Sequence, residues 1–235
     1  CETLVQAPVP PHVIDKGIPT AGLLAQVLVA KYADHLPLYR QEGIFARAGM
    51  SLSPSTLAQW VGTCGVQLHP LVEALKRELL LHPVLHADET PVAMLKPGNG
   101  KTHRAYLWSY CSTRFAGMHA VVFDFAESRA GHHARDFLGV TPSAGWRGTL
   151  VCDDFSGYKQ LFSAGVVEAG CLAHARRKFY ELWVNHQSTV AEQALKLFSR
   201  LYDIERQLQE LTTEERLQRR RNEAKPVADL LHAWL

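Results

Sequence analysis

Between residues 84 and 173 the sequence sets out short strand-like runs in close succession, and only one helical run interrupts them. Residues 84–94 read as a strand broken by Asp88-Glu89-Thr90-Pro91, and Lys96-Pro97-Gly98-Asn99-Gly100 has strong turn chemistry. Residues 104–111 and 119–125 alternate apolar and aromatic side chains as strands do. Residues 129–138 predict a short helix closed by Gly139, followed by strands at 148–153 and 167–173. After Arg176 the chain turns helical again. Few architectures accommodate three strands, a helix, a strand, and then a strand that leads into a helix.

That order is the one found in an RNase H-like α/β core, which we assign to residues 81–182. In such a core the first and fourth strands are neighbours. The flanks are helical. Ahead of the core, residues 20–80 carry Leu24, Val27 and Leu28 at helical spacing, a stop at Pro37, and a second helix over 38–48. Gly49 supplies a turn. Ser53 then offers an N-cap and Pro54 a first helical residue. This third helix carries Leu57, Trp60 and Val61 on one face, and a further helix is expected over 66–81. Residues 38–63 therefore have a helix-turn-helix outline. Ser53, Ser55, Thr56 and Gln59 stand where such motifs touch bases. A small helical bundle with no DNA role gives the same pattern.

Beyond the core, residues 183–235 read as a helical insertion. Ala194, Leu197, Leu201, Ile204, Leu208 and Leu211 form a heptad-like seam, Thr212 and Glu215 a capping box, and Pro226 starts a last helix. Residues 1–19 are a proline-rich linker. The chain is 47% hydrophobic and 20% charged with a net charge of +2, which excludes a disordered polyelectrolyte and leaves DNA contact to local clusters. No apolar run reaches the roughly 18 residues of a membrane span. The 5 cysteines never form Cys-x-x-Cys and suit a reducing cytoplasm.

Two aspartates end apolar strands: Asp88 after Val84-Leu85-His86-Ala87, and Asp153 after Leu150-Val151-Cys152. On neighbouring strands such carboxylates suit hard divalent cations, which take oxygen ligands. Strand-end aspartates are equally at home as turn formers. Cys171 and His174 form a Cys-x-x-His pair with no second half of a zinc site nearby, and His174 is a candidate DNA contact or a plain packing residue. Arg176, Arg177 and Lys178 follow at once and can hold DNA phosphates or simply line a solvated helix face. Arg216, Arg219, Arg220 and Arg221 read as a solvated face. His86 and His103 lack the further ligands that a zinc hydrolase needs.

Four strings occur in order over nearly the whole chain: Lys31 to Gln41 (KYADHLPLYRQ), His86 to Pro91 (HADETP), Asp153 to Tyr158 (DDFSGY) and Cys171 to Phe179 (CLAHARRKF). Together they resemble the insertion-sequence sixty-six (IS66) family of bacterial DDE transposases. The resemblance implies that Asp88 and Asp153 are the first two acids of a catalytic triad, holding two Mg2+ or Mn2+ ions. It places the second acid five residues before a tyrosine, as Asp153 stands to Tyr158. The family has glycine at the position of Asp154, which leaves Asp154 as a rival for that role.

The family's third acid follows an asparagine-rich stretch, and none of Asn99, Asn185 or Asn222 lies in such a setting. That acid is therefore expected outside the chain. Cys1 matches the last ligand of an upstream zinc module, the one place where zinc is expected. The resemblance further implies cutting and joining of DNA at element ends and target, a homo-oligomer in the synaptic complex, and a cytoplasmic, nucleoid-associated protein. The chain is expected to be the central part of such a transposase, inactive when isolated. Two alternatives stand beside this reading: a non-catalytic DNA-binding or assembly fragment, and an RNase H-like nuclease that hydrolyses without joining.

Overall fold

The computed structural model describes residues 11–14, 17–96, 98 and 100–234. Cys1 and most of the proline-rich linker lie outside the described residues. The chain separates into two compact units, divided between Glu78 and Leu79.

The first unit is helical. Helix α1 (Ala21–Tyr32) begins at Thr20, whose hydroxyl accepts the Leu23 N–H at 3.2 Å. Its buried residues Leu24, Val27 and Ala30 recur every three positions and make one apolar face. Helix α2 (Leu38–Arg47) follows Pro37. The Gln41 amide is buried and donates to the carbonyls of Val27 and Leu36 at 3.3 and 3.1 Å, tying α2 to α1.

Ser53 caps helix α3 (Pro54–Leu79) by accepting the Thr56 N–H at 3.2 Å, with Pro54 as the first helical residue, as the sequence predicts. The sequence also predicts a break before residue 66, and there the structure differs: α3 runs unbroken for 26 residues, with Pro70 inside it. Neither Gly62 nor Gly65 takes a positive φ, so neither ends the helix. Pro70 removes one N–H donor, and the helical pattern of residues 71–79 resumes directly after it.

The second unit is built on a sheet. Strands β1 (Val84–Met94), β2 (His103–Ser112) and β3 (Val121–Ala126) form an antiparallel meander. Helix α4 (His132–Leu138) ends at Gly139, whose φ of +61° is the left-handed cap that glycine accepts most readily. Strand β4 (Thr149–Cys152) then lies parallel to β1 on its other side. A 3-10 turn (Ser156–Tyr158) and short helix α5 (Lys159–Ser163) lead to β5 (Val167–Gly170), parallel to β4. The sheet order is β3-β2-β1-β4-β5, the mixed α/β arrangement of an RNase H-like core. Helix α6 (Leu172–His186) leaves β5 directly.

The break expected at Asp88-Glu89-Thr90-Pro91 is absent, and β1 is one strand that pairs with β2 along its length. The reason lies on the other edge. β4 pairs with β1 only at residues 84–86, so Pro91 sits where β1 has no neighbour on that side. Edge positions tolerate the missing N–H of proline.

The sheet core buries Leu85, Ala87, Trp108, Tyr110, Leu150, Cys152 and Tyr158. Tyr110 stacks on Phe137 of α4 at 3.7 Å between ring centres, and Trp108 meets Tyr158 edge-on at 5.9 Å. Helices α7 (Thr189–Gln207), α8 (Thr213–Arg219) and α9 (Lys225–Trp234) follow, the last two joined by a π-helical segment at Arg220–Ala224. Ala194, Leu201, Ile204 and Leu208 of the expected seam form a buried cluster with Phe198, Val227 and Leu231, and Leu197 and Leu211 pack against it partly buried.

Of the four arginines expected to be a solvated face, Arg219 and Arg221 are exposed, while Arg216 and Arg220 are half-buried and engaged. Arg220 makes two hydrogen bonds to Glu205 at 2.7 and 2.6 Å, Arg219 pairs with Glu223, and Arg216 lies over the Phe115 ring at 4.0 Å.

Close backbone contact locks α4 to the turn after β4. A methyl group added at Gly131 would lie 2.2 Å from the Gly157 carbonyl oxygen. Gly131→Ala should therefore destabilise the second unit by about 1–3 kcal/mol, the usual range for overpacking. Gly43→Ala, mid-helix in α2 with open space around its Cα, should stabilise the first by roughly 0.5–1 kcal/mol. Urea unfolding monitored by circular dichroism checks both.

Candidate active site

Strand pairing brings the two aspartates together. In the β1–β4 ladder Val84, Leu85 and His86 face Thr149, Leu150 and Val151. Continuing that register by two residues sets Asp88 beside Asp153. Registered residues of parallel strands project to the same side, and burial agrees: Leu85 and Ala87 share the core face with Leu150 and Cys152. Asp88 and Asp153 therefore share the opposite face, Asp153 just past the end of β4.

Local bonds fix each carboxylate. Asp88 Oδ1 accepts the Glu89 N–H at 3.0 Å. Asp153 Oδ1 accepts the Phe155 N–H at 3.0 Å, which starts the turn into Ser156–Tyr158. Asp153 is thus a turn former, and it still keeps its second oxygen for other partners. Asp154 is spent elsewhere: it is fully exposed and paired with Lys159 at 2.8 Å, a contact that holds its carboxyl below the usual range. The structure gives Asp154 no place beside Asp88.

His174, in the first turn of α6, brings Nε2 to 3.8 Å from Asp88 Oδ1, while its Nδ1 is buried without a partner among the described residues. At 3.6 residues per turn, Arg177 and Lys178 lie on the His174 side of α6 and Arg176 on the other. Arg176 lies over Tyr180, 5.8 Å from the ring centre, and Arg177 and Lys178 are exposed. His86 is half-buried on β1, which pushes its pKa down, and His103 Nε2 lies 2.7 Å from the Glu127 carbonyl oxygen. In the first unit, Ser55 and Gln59 are exposed in the first two turns of α3.

Sequence reasoning missed the network next to Asp88. Strand alternation turns Glu89 to the core side, where its side chain is 1% exposed. Its Oε2 accepts the Tyr158 hydroxyl at 2.7 Å. Its Oε1 accepts Nε and Nη2 of Arg129, the first at 2.7 Å. Arg129 Nη2 also stands 3.7 Å from Asp153 Oδ2, and the guanidinium lies 4.0 Å over the Phe155 ring. Burial pushes the Glu89 carboxyl up, and the bonds from Tyr158 and Arg129 hold it down. Burial opposes the Arg129 charge, but Glu89 and Asp153 outweigh it and raise its pKa. The signal available was that a glutamate directly after a strand aspartate must face the core and find a partner there. Cys152 lies in the same core, and burial raises its thiol to about 12.

Three carboxylates and one guanidinium thus gather where the end of β4 meets the middle of β1, so Asp88 lies within its strand and not at the strand end that the sequence suggests. Asp88 and Asp153 offer oxygen ligands on one face, which fits a hard divalent cation that keeps several waters. Among the described residues, no three His, Cys, Asp or Glu side chains form a metal cage. A cavity of about 530 Å3 near Leu201, Ala224 and Leu231 is lined mainly by apolar groups and lies away from these carboxylates.

The sequence profile of the "Transposase IS66 family" matches residues 16–235. Three proteins of Sinorhizobium fredii (strain NBRC 101917 / NGR234), each described as uncharacterized, are similar over almost the whole chain. The protein y4qI is 35% identical over 98% of this chain and 44% of its own length. The proteins y4hP and y4jD are 33% and 34% identical over 100% of this chain, covering 45% and 47% of theirs. The chain spans just under half the length of these relatives.

Removing the Tyr158 hydroxyl tests the buried network. Tyr158→Phe leaves a buried carboxylate oxygen without its donor, so stability should fall by about 1–3 kcal/mol. Chemical denaturation measures this, and an unchanged midpoint would show that Glu89 is satisfied without Tyr158.

Proposed function

Because the chain belongs to the IS66 transposase family, we propose that it supplies Asp88 and Asp153 as metal-holding carboxylates of a DNA-cutting and DNA-joining site. The observation that carries this reading is the β1–β4 register, which sets the two aspartates side by side on one face. When bound, a pair of Mg2+ or Mn2+ ions activates the attacking oxygen and stabilises the departing one in an in-line displacement. Asp88 and Asp153 hold that pair between them. His174 orients Asp88 from α6, and the exposed Arg177 and Lys178 on the same side hold phosphates of the bound strand.

The reaction balances in two displacements at phosphorus. Water attacks the phosphodiester at an element end, the P–O3′ bond breaks, and a 3′-hydroxyl and a 5′-phosphate result. That 3′-hydroxyl then attacks a target phosphodiester, forming a new 3′–5′ link and releasing a target 3′-hydroxyl. DNA is the substrate of both steps, and a homo-oligomer brings two element ends together. No described helix is long and apolar enough to cross a membrane.

In the first unit, α2 and the start of α3 act as the duplex reader, with Ser55 and Gln59 presented to base edges. Deleting residues 38–63 should then abolish sequence preference in gel shifts. Unchanged affinity and preference would make this unit a helical bundle with no DNA role.

In the intact protein, Asp88→Asn or Asp153→Asn should lower end cleavage by about a thousandfold or more. That is the scale of losing several kcal/mol of charge stabilisation at the transition state. DNA affinity should stay near wild type. Gel-resolved cleavage and strand-transfer products decide the matter. Wild-type rates in either variant would remove that aspartate from the site, and cleavage without joining would favour a nuclease.

A further inference from the structure

The cation beside Asp153 is better placed than a structural salt bridge needs. Glu89 and Arg129 form an ion pair with one end fully inside the protein and the other 42% exposed. Replacing such a pair by apolar side chains is often neutral or stabilising, so stability alone gives weak reason to keep it. What the pair does achieve is to fix a guanidinium at the protein surface. Glu89 is itself held by the Tyr158 hydroxyl, and it takes Nε and Nη2 of Arg129 on a single oxygen. The Phe155 ring supports the guanidinium plane at 4.0 Å. Few torsions remain free, and the rigid fork leaves Nη1 without a partner among the described residues.

The place of the guanidinium matters. Arg129 Nη2 stands 3.7 Å from Asp153 Oδ2, close enough for attraction and too far for a hydrogen bond. Its hold on Asp153 is loose. A phosphate lying across Asp88 and Asp153 would come within reach of the same guanidinium. Negative charge grows on the phosphoryl oxygens of such a displacement, and a fixed donor aimed there needs no reorganisation.

We propose that Arg129 is a phosphate-contacting catalytic residue of this site, held in place by the buried carboxylate of Glu89. The ligand is a phosphodiester oxygen of the DNA strand being cut. This rests on the reading of Asp88 and Asp153 as the metal-holding pair. Glu89, despite lying next to Asp88, then belongs to the support of Arg129 and holds no metal.

Two measurements on the intact protein test it. The first is cleavage of saturating element-end DNA in Mg2+. Arg129→Lys keeps a charge opposite Glu89 but loses the fork. It should slow cleavage roughly tenfold to a hundredfold, the worth of a hydrogen bond to a charged group, with an unfolding midpoint close to wild type. Arg129→Ala should be slower still and regain activity in millimolar methylguanidinium. Wild-type rates in both variants, or loss in Arg129→Ala without rescue and in proportion to lost folding, would overturn the proposal.

The second measurement is affinity for DNA with a neutral methylphosphonate at the scissile position. It should weaken wild-type binding several-fold and leave binding by Arg129→Lys nearly unchanged. Equal loss in both proteins would overturn the contact. The two readings fail differently. If Asp88→Asn and Asp153→Asn cleave at the wild-type rate, the metal site is wrong. The methylphosphonate comparison still decides Arg129.

Discussion

The parallel pairing of β4 with β1 covers only three residue pairs, and the proposed chemistry depends on it. Parallel neighbours face the same way, so this short ladder fixes which side chains of two distant segments can meet. A slip of one residue would turn the aspartates to opposite faces and carry Asp153 into the core. Buried Leu85, Ala87, Leu150 and Cys152 on the other face resist that slip, because it would expose them to water. The apolar alternation of the two strands is what keeps Asp88, within β1, beside Asp153 at the end of β4.

The same alternation explains why a second acid lies inside. With Asp88 outward, Glu89 must point inward, where an unpaired carboxylate is costly. Arg129 and Tyr158 satisfy it from two separate segments, one ahead of α4 and one after β4. Phe155 and Trp108 pack around them, and the close approach of Gly131 to Gly157 lets those segments come near enough. The network thereby ties the turn that carries Asp153 to the strand that carries Asp88. It also gives a physical reason for the five-residue spacing from Asp153 to Tyr158: one 3-10 turn brings the tyrosine hydroxyl back under the sheet.

Much of this fold is legible in the sequence because its signals are local. Strand alternation, Gly139 after α4, Ser53 before α3 and the Thr212–Glu215 capping box each act within a few residues. The failures came where tertiary context overrides a local breaker. Pro91 reads as an interruption, yet it sits on the free edge of a strand. A separate helix is expected from residue 66, yet α3 runs unbroken from Pro54 to Leu79. Asp88, Asp153 and His174 were visible as candidates from strand ends and motif strings. Arg129 was not, because its role depends on Glu89, which lies 40 residues away in sequence. Nor did sequence alone separate Arg177 and Lys178 from Arg176, which needed the His174 contact to orient α6.

The account stands on a shared divalent cation between Asp88 and Asp153. Anomalous diffraction from crystals grown with Mn2+ addresses it directly. The account predicts a manganese peak in contact with a carboxylate oxygen of Asp88 and one of Asp153, at about 2.0–2.2 Å as expected for a small octahedral cation. That peak should vanish in Asp88→Asn. A peak held by Glu89 or Asp154 instead, or none between Asp88 and Asp153 at saturating Mn2+, would contradict it.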